Sequence, residues 1–433
     1  MKKSFILKGG IAFSDNKDNI ISYEKGYLVC IDGKVKSVLD AEKPIPEDYI
    51  DFPVLDYSDY LIVPGMIDLH VHAPQYTNRG IGMDLELLEW LNTYTFPEEA
   101  KYSDLQYAKN AYSYFVNDLR RSFTTRAVIF ATIHNRSTKM LMDELENSGV
   151  YSYVGRVNMD RNGGENLQEE SAQVSLTGTG DWLEETANLY KRTYPILTPR
   201  FVPSCSDELL EGLGKLAEEK NLRIQSHLSE NTSEVAWVKE LVPQAVSYGN
   251  AYEIFGNMGT PDRPTIMAHC VYSDDAELEI LKSHGAYVAH CPDSNLNLTS
   301  GIAPVRKMLD KGIDVGLGTD VSGGSSLNMV KTMLCALQSS KMYYKLVDTR
   351  YKPLTFEEVF YMATEGGGKY FGKVGSFKPG FEFDAVIIDD RKMQSMKHLT
   401  VRERVERLTY NDADCIIRDK FAGGRRVFEN PMN

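Results

Sequence analysis

The sequence predicts an α/β protein, a TIM-type (β/α)8 barrel with a small β-sandwich domain built from the two ends of the chain. Between residues 61 and 370, short apolar runs rich in β-branched residues alternate with charged, helix-like stretches, which is the pattern of βα units around a parallel sheet. Further β-rich segments precede and follow this region. We therefore expect residues 1–60 and 371–433 to form the two parts of the sandwich and residues 61–370 to form the barrel.

Eight apolar runs in the middle of the chain predict the barrel, because eight parallel strands are what a TIM-type barrel contains. The runs cover residues 61–72, 126–133, 153–159, 196–202, 222–227, 265–270, 286–291 and 314–320. Helices are expected between and after them, over residues 85–91, 207–220, 274–283 and 355–362.

The β-rich segments at the two ends predict the accessory domain. Residues 26–31 and 35–38 flank Asp32-Gly33, a pair typical of a hairpin turn. Residues 383–389, 415–418 and 426–428 also have strand character. They could complete the sheet that the first segment begins.

The composition is that of an ordinary globular protein, with 42% hydrophobic and 25% charged residues in 433. A formal net charge of −13 argues against partners such as nucleic acid or an anionic membrane surface, and it is compatible with a neutral or cationic small substrate. Six scattered cysteines without a CxxC pair suggest neither a disulfide framework nor a cysteine zinc site. The first apolar run ends at Lys8, too short for a signal peptide, and no run reaches membrane-spanning length, so a cytoplasmic protein is expected.

The first predicted barrel strand ends in His70-Val71-His72. Side chains at positions i and i+2 of a strand point to the same side, so the two imidazoles converge on one point. Imidazole is the commonest protein ligand of divalent transition metals, and a catalytic zinc usually takes three protein ligands and a water. Two surface histidines at a strand end are the alternative, and this pair alone does not decide between the two interpretations.

Three further predicted strands end in a polar residue, namely His227, His269 and Asp320. Taken singly, each has a structural interpretation as a hydrogen-bonded core histidine or a helix cap. Because active sites of such barrels collect at the carboxyl ends of the strands, the residues together predict a metal site. We assign His70, His72, His227 and Asp320 to the metal and expect His269 to hydrogen-bond the water on it.

Glu230 follows His227 by three residues and is expected in the loop at the same end of the barrel. A carboxyl group beside an activated water can move protons, as hydrolytic deamination requires. The structural alternative is a glutamate at a helix start that complements the helix dipole. A binuclear site needs a bridging group, often a modified lysine from a middle strand; since the fourth strand offers Arg200 and no lysine, one metal ion is expected.

These motifs resemble those of the amidohydrolase superfamily, in its branch of mononuclear aminohydrolases that act on heterocycles, over nearly the whole chain. The segments that carry the resemblance are Pro64-Gly65-Met66-Ile67-Asp68-Leu69-His70-Val71-His72, Ser226-His227-Leu228-Ser229-Glu230, Ala268-His269-Cys270, His290-Cys291-Pro292 with Ser294-Asn295, Gly318-Thr319-Asp320, and Ala363-Thr364-Glu365-Gly366-Gly367 through Pro379-Gly380 to Asp384-Ala385.

A narrower resemblance, to the guanine deaminase family, is carried by His72-Ala73-Pro74-Gln75-Tyr76 with Leu88-Glu89-Trp90-Leu91-Asn92-Thr93-Tyr94-Thr95-Phe96-Pro97, and by Pro199-Arg200-Phe201. It implies that Gln75, Arg200 and Phe201 bind a purine. A glutamine amide offers a donor and an acceptor to a purine edge, an arginine can donate to the C6 carbonyl, and a phenylalanine can pack on the ring. A solvated glutamine, a structural arginine and a core phenylalanine are the alternatives. The segment Thr77-Asn78-Arg79-Gly80 departs from the family pattern.

The resemblance implies one divalent metal ion, zinc with iron as the alternative, that lowers the pKa of a bound water. Hydroxide then adds to C2 of guanine while Glu230 delivers a proton to the ring and later to the leaving amine. Asp320 and His269 hold and deprotonate the water, and xanthine and ammonia result. A purine substrate, a role in purine catabolism and salvage, and a homodimer are also implied.

Two alternatives stay open. One is an aminohydrolase for a pterin, triazine or pyrimidine, which needs a different edge reader from Gln75 and Arg200. The other is a catalytically inactive barrel that serves as a binding or scaffold protein, which is expected to have lost a metal ligand or the acid.

Overall fold

Parallel β/α units fill the middle of the chain and strands from both ends share a separate sheet, in a mixed α/β fold. The structure, a computed structural model, describes residues 4–393, 395–412 and 415–430. The basic start of the chain at residues 1–3, part of the expectation about location, lies outside the described residues, as do the last three residues of the predicted sandwich. Within the described ranges, every helix is too short or too polar to cross a membrane.

The strands of the described chain are numbered in sequence order. They are β1 (Ser4–Asn16), β2 (Asn19–Ile31), β3 (Lys34–Asp40), β4 (Val54–Pro64), β5 (Met66–His72), β6 (Thr124–Phe130), β7 (Tyr151–Gly155), β8 (Val157–Asn158), β9 (Thr193–Pro195), β10 (Thr198–Pro199), β11 (Gln225–Leu228), β12 (Gly259–Thr260), β13 (Arg263–Pro264), β14 (Ile266–His269), β15 (Tyr287–His290), β16 (Asp314–Leu317), β17 (Ala385–Asp389), β18 (Ile416–Ala422) and β19 (Arg425–Glu429).

The α-helices lie mostly between the strands of the middle region. They are α1 (Leu87–Trp90), α2 (Phe96–Ala100), α3 (Leu105–Arg121), α4 (Asn135–Ser148), α5 (Ala172–Thr186), α6 (Asp207–Lys220), α7 (Thr232–Leu241), α8 (Tyr248–Ile254), α9 (Asp275–Ser283), α10 (Pro292–Asn297), α11 (Val305–Asp310), α12 (Met329–Leu346), α13 (Phe356–Tyr361) and α14 (Val401–Tyr410). Wider π-helical turns at Leu91–Thr95 and Met362–Gly366 continue α1 and α13.

One seven-stranded sheet joins the two ends of the chain, in the order β19-β18-β17-β4-β1-β2-β3. The β2–β3 hairpin turns at Asp32 and Gly33, whose φ angles of 50° and 79° suit a two-residue turn. This prediction is confirmed, as is the prediction that the C-terminal strands complete the N-terminal sheet, because β17 pairs with β4 and β18. A β-sandwich built from this sheet, and the limits of the three segments, stay predictions.

Two four-stranded parallel sheets, β5-β6-β7-β9 and β11-β14-β15-β16, carry the middle of the chain. A parallel bridge between Leu197 and Ile224 links them on one side. On the other side, the backbone N–H of Asp320 donates to the carbonyl of His70 at 2.8 Å. The carboxyl ends of β5, β11 and β14 therefore lie in one region with the loop that follows β16.

The single strand expected over residues 61–72 is wrong: the run is divided between β4 of the terminal sheet and β5 of a parallel sheet. The break falls at Gly65, where a Cβ atom would lie 2.1 Å from Oγ1 of Thr125. Only glycine fits there, because the chain passes close to its neighbour as it leaves one sheet for the other. The apolar residues on both sides of Pro64-Gly65 hide this change of sheet in the sequence.

The strand expected over residues 196–202 is much shorter in the structure. Only β10, which pairs with β8, lies within that range, and β9, which pairs with β7, ends just before it. Both short strands end in a proline, Pro195 and Pro199, and proline has no N–H to continue a ladder.

The predicted helices agree better with the structure. The helix over residues 207–220 is confirmed at both limits by α6, which Ser206 caps at its N-terminus through a hydrogen bond to the N–H of Leu209. The helices expected over 274–283 and 355–362 correspond to α9 and α13. The helix expected over 85–91 begins later, at Leu87, and continues into the π-helical turn.

A buried ion pair connects the terminal sheet to the parallel sheets. The guanidinium of Arg126 on β6 donates from Nε to Oδ2 of Asp384 at 2.7 Å and from Nη2 to Oδ1 at 3.2 Å. Asp384 also accepts the backbone N–H of Gly423 at 2.8 Å. Both charged side chains are nearly inaccessible to solvent, so each depends on the other for its neutralisation.

Candidate active site

Three imidazoles from two strands meet where β5 and β11 end. Nε2 of His72 lies 3.2 Å from Nε2 of His70 and 3.1 Å from Nε2 of His227. His70 and His72 are buried, and His227 is partly buried. The i, i+2 spacing on β5 brings the first two rings to one side of the strand.

Two acids and a fourth imidazole lie beside these rings. Oδ1 of Asp320 is 3.2 Å from Nε2 of His70, and Oδ2 of Asp320 is 3.7 Å from Nε2 of His269. Oε2 of Glu230 approaches the same nitrogen of His269 at 3.4 Å. His269 therefore stands between the two carboxyl groups.

Hydrogen bonds on the far side of two rings fix their orientation. Nδ1 of His227 donates to the carbonyl of Arg200 at 2.6 Å, and Nδ1 of His269 contacts Oδ1 of Asn295 at 2.8 Å. An imidazole that donates from Nδ1 presents a lone pair at Nε2. Both Nε2 atoms face the cluster in this form.

Burial sets the charge of these groups. It lowers the pKa of His72 and of His227 well below the usual range, and the neighbouring imidazole of His70 lowers both pKa values further. Although burial opposes it, the interaction with His70 lowers the pKa of Asp320 to about 2. Burial, followed by the charge of Asp320, raises the pKa of Glu230 well above its usual range. Burial thus favours the neutral form of the His72 and His227 imidazoles and the protonated form of Glu230, while Asp320 favours the carboxylate form.

The donor atoms fit a divalent metal ion. The ligand atoms of His70, His227 and His269 lie within 4.8 Å of one another, and so do those of His70, Cys291 and Asp320. Nε2 of His269 is buried and has no hydrogen-bond partner. Lone pairs that face one another without a proton between them need a cation, which imidazole and carboxylate donors suit. The thiol of Cys291 is a poorer candidate, because burial raises its pKa well above the usual range.

A second polar group faces this cluster across a cleft. The guanidinium of Arg200 makes two hydrogen bonds to Glu99, from Nη1 to Oε2 at 2.6 Å and from Nη2 to Oε1 at 2.9 Å. Nε2 of Gln75 donates to the same Oε1 at 2.9 Å, and Oε1 of Gln75 accepts the backbone N–H of Ser322 at 3.2 Å. Phe201 follows Arg200 and is buried beside them. This arrangement can recognise an edge with both donors and acceptors.

The cleft is concave and combines apolar walls with a few polar groups, as sites for small ligands do. It is lined by His72, Gln75, Leu87, Trp90, Leu91, Arg200, Phe201, His227, Glu230, Glu234, His269, Leu298, Asp320 and Gly323. The lining thus combines imidazoles and acids, the edge-recognising groups Gln75 and Arg200, and apolar side chains.

Left-handed backbone conformations occur at or shortly after the ends of β11, β14 and β16, where polar side chains enter the site. Ser229, His269, Cys270 and Asp320 have φ angles of 48°, 74°, 51° and 47°. Non-glycine residues adopt this conformation at a cost, and such residues concentrate at functional sites. Here the turns aim side chains from different strands into one cleft.

The structure brings every residue singled out from the sequence to this one site. All of them line the cleft except His70, whose Nε2 lies 3.2 Å from Nε2 of His72. Sequence reasoning missed Glu99, and it gave no individual role to Asn295 and Trp90, which it named only within the segments that carry the resemblance. Glu99 lies in the first turn of α2, two residues after Pro97, where an acidic residue ordinarily complements the helix dipole, so no local signal distinguished it.

Comparison with known proteins identifies the family of this chain. The model of the amidohydrolase family matches residues 61–427. Guanine deaminase from Dictyostelium discoideum is 41% identical over 340 residues, which cover 78% of this chain and 74% of that protein. Guanine deaminase from Escherichia coli (strain K12) is 34% identical over 429 residues, which cover 96% of this chain and 94% of the relative.

A solved structure gives the same result. The crystal structure of guanine deaminase from C. acetobutylicum with guanine bound in the active site has a TM-score of 0.94 and 43% identity, and the match covers 98% of this chain and 100% of that one. Such a similarity in both sequence and fold extends over the whole of the cleft described above. The chain therefore belongs to the amidohydrolase family of metal-dependent hydrolases, in its guanine deaminase branch.

Proposed function

We propose that this protein catalyses the hydrolytic deamination of guanine to xanthine and ammonia. The observation that carries the proposal is the lining of the cleft, which brings the imidazoles and Glu230 together with Gln75 and Arg200. A purine held at its edge by Gln75 and Arg200 then presents an aminated ring carbon to the imidazoles and Glu230. The curated relatives and the guanine-bound solved structure support the same substrate.

We assign His70, His72, His227 and Asp320 to one divalent metal ion, Zn²⁺ with Fe²⁺ as the alternative. The distances among their nitrogen and oxygen atoms support this set. When bound, the ion lowers the pKa of a coordinated water toward neutrality and so supplies a nucleophile.

The chain's own residues move the protons. Asp320, assisted by His269, accepts one proton of the water as its oxygen forms a bond to C2 of guanine. Glu230, protonated because burial raises its pKa, gives its proton to the adjacent ring nitrogen. The Glu230 carboxylate then takes the remaining proton of the new hydroxyl group and passes it to the amine.

The final step breaks the bond between C2 and the amine nitrogen, and ammonia leaves as the C2 carbonyl of xanthine forms. The proton held by Asp320 returns to Glu230 through His269, whose Nε2 lies 3.7 Å from Oδ2 of Asp320 and 3.4 Å from Oε2 of Glu230. This transfer restores the starting state.

Three residues that line the cleft position the substrate. Arg200 donates to the C6 carbonyl oxygen, Gln75 contacts the purine edge through its amide, and Phe201 packs on the ring. Trp90 and Leu298 close the sides of the cleft and exclude water from the reacting atoms.

We also infer that the two parallel sheets close into a TIM-type barrel, with residues 1–60 and 371–433 as a small β-sandwich domain. The backbone contacts between the sheets, through Leu197 and Ile224 on one side and His70 and Asp320 on the other, support closure. A cytoplasmic homodimer that acts in purine catabolism and salvage completes the proposal.

The experiment that tests the function follows guanine conversion by ultraviolet absorbance, with metal-replete protein, a chelated sample, and a panel of aminated pterins, triazines and pyrimidines. Conversion of guanine that is lost on chelation is the expected result. Activity on another ring with none on guanine would overturn the substrate assignment. No activity on any of these ring compounds despite bound metal would favour a scaffold protein.

A further inference from the structure

One buried carboxylate that the proposed mechanism does not use touches both residues that recognise the purine edge. Glu99 accepts hydrogen bonds from Nη1 and Nη2 of Arg200 and from Nε2 of Gln75. Glu99 is 1% exposed and Arg200 is 2% exposed. Because solvent does not reach the pair, the carboxylate alone balances the charge of the guanidinium.

The contact also fixes the direction of the Gln75 amide. Its nitrogen is held by Glu99 and its oxygen by the backbone N–H of Ser322. A carboxylate accepts hydrogen bonds and cannot donate one, so the amide cannot turn over without losing both contacts. Gln75 therefore keeps its second N–H free for a ligand.

The charge balance matters because substrate and product differ in acidity. Guanine is neutral near neutral pH. Xanthine has a second ring carbonyl, which makes it a stronger N–H acid, so part of it is an anion under the same conditions. A buried guanidinium without its carboxylate would attract that anion strongly, since little solvent screens the interaction.

We propose that Glu99 is a specificity-determining positioning residue, which aligns Gln75 and Arg200 with guanine and cancels the charge of Arg200 so that the cleft releases xanthine instead of retaining its anion. This inference rests on the proposed function. It concerns the balance between substrate and product, which the metal residues and Glu230 do not set.

Other titratable groups near Glu99 and Arg200 do not balance the charge of the guanidinium. They are Tyr102, Tyr112, Glu98, His72, His227 and Glu230. Burial raises the pKa of both tyrosines, which keeps them neutral. Glu98 is paired with Lys101, and the remaining groups face the cleft equally in the wild type and in the variants below.

The test compares the wild type with Glu99→Gln, Glu99→Asp and Glu99→Gln/Arg200→Gln. The KM for guanine is measured by absorbance, and the affinity for xanthine is measured without turnover, by calorimetry on the metal-loaded proteins between about pH 6 and about pH 9. Asp384→Asn is the matched control. It leaves the guanidinium of Arg126 without its counter-charge in a comparably buried ion pair that does not line the cleft.

We expect Glu99→Gln to raise the KM for guanine by at least about tenfold and to make xanthine affinity rise by at least about tenfold across that pH range, against less than about twofold in the wild type. Glu99→Asp, which keeps the charge and shortens the side chain, raises the KM but leaves the pH dependence unchanged. The double variant loses the pH dependence because both charges are absent. Asp384→Asn changes neither quantity in the folded fraction.

A Glu99→Gln protein that binds guanine and xanthine more weakly by the same factor, with the wild-type pH dependence, would assign Glu99 a structural role and overturn the inference. If Glu99→Gln does not fold, a wild-type KM in Glu99→Asp overturns it as well. Failure of the wild type to convert guanine is a separate result: it overturns the proposed function, and the inference with it.

Discussion

The backbone N–H of Glu230 donates a hydrogen bond of 2.9 Å to the carboxyl group of Glu234. Glu234 also accepts from the hydroxyl of Tyr248 at 2.7 Å, and both acids are buried. A second acid, and not solvent, therefore holds the loop that carries the proposed proton-transfer group. This connection has consequences for activity and for the pH dependence of stability.

Replacing Glu230 by glutamine keeps the size of the side chain and removes the transferable proton. We expect Glu230→Gln to retain its metal and to lose turnover by about 10³-fold, since positioned acid–base groups contribute about 10²–10⁴. Absorbance assays and metal analysis of the same sample measure both quantities. Glu240→Gln, on the exposed face of α7, is the control. Wild-type turnover in Glu230→Gln would exclude this residue as the proton shuttle.

Glu234 makes stability depend on pH. Burial, followed by the charge of Glu230, raises its pKa from 4.5 to about 7. An acid whose pKa is higher in the folded state stabilises the fold below its unfolded pKa and loses that contribution as pH rises through its folded pKa. The free energy of unfolding of the wild type relative to Glu234→Gln should therefore fall by about 3 kcal/mol between about pH 4.5 and about pH 7.

Urea denaturation of the metal-free proteins at a series of pH values measures this difference. Glu240→Gln should follow the wild type throughout the series. A constant difference between the wild type and Glu234→Gln would show that the carboxyl of Glu234 titrates alike in the folded and unfolded chains.

The imidazole of His227 belongs to the predicted metal set, and its Nδ1 is already bonded to the Arg200 carbonyl. We expect His227→Ala to weaken metal binding by at least about 100-fold, because the remaining ligands leave one position open. Competition with a chelator measures the affinity. Added metal should raise the melting temperature of the wild type and leave that of His227→Ala nearly unchanged.

His284→Ala is the matched control for the metal experiment. His284 is a partly exposed histidine that contacts Glu253 at 3.1 Å and lies outside the cleft. Equal metal affinity in His227→Ala and His284→Ala would remove His227 from the ligand set.

The buried pair of Arg126 and Asp384 predicts a purely structural effect. Asp384→Asn leaves a guanidinium without its counter-charge in a site closed to water. We expect the free energy of unfolding to fall by about 3–5 kcal/mol. Glu211→Gln, which removes an exposed pair with Lys215, should change it by less than about 1 kcal/mol. Denaturation of both variants in urea tests the contrast, and similar losses would contradict it.

The candidate metal site could be predicted from the sequence because its side chains are placed by strand geometry. Alternation along β5 places His70 and His72 on one side, and the ends of parallel strands share one edge of a sheet. His227, His269 and Asp320 follow apolar runs that are plain in the sequence. Local pattern and the expectation of parallel strands that end at one edge together sufficed to predict one site.

Glu99 could not be identified as a site residue by the same reasoning. Its partner Arg200 is 101 residues away in sequence, and its own position, early in a short helix, suits any acidic residue. The division of the run over residues 61–72 is similar, because its cause is the approach of Thr125 to Gly65. Contacts between distant segments decide both features, and neither composition nor periodicity reports such contacts.

The donor groups of the candidate metal site come from β5, from β11 and from the loop that follows β16, and His70 and Asp320 meet through a backbone hydrogen bond of 2.8 Å. A chain still being synthesised holds the imidazoles of His70, His72 and His227 before the Asp320 carboxylate is made. The complete donor set therefore exists only once the loop after β16 has reached the carboxyl end of β5.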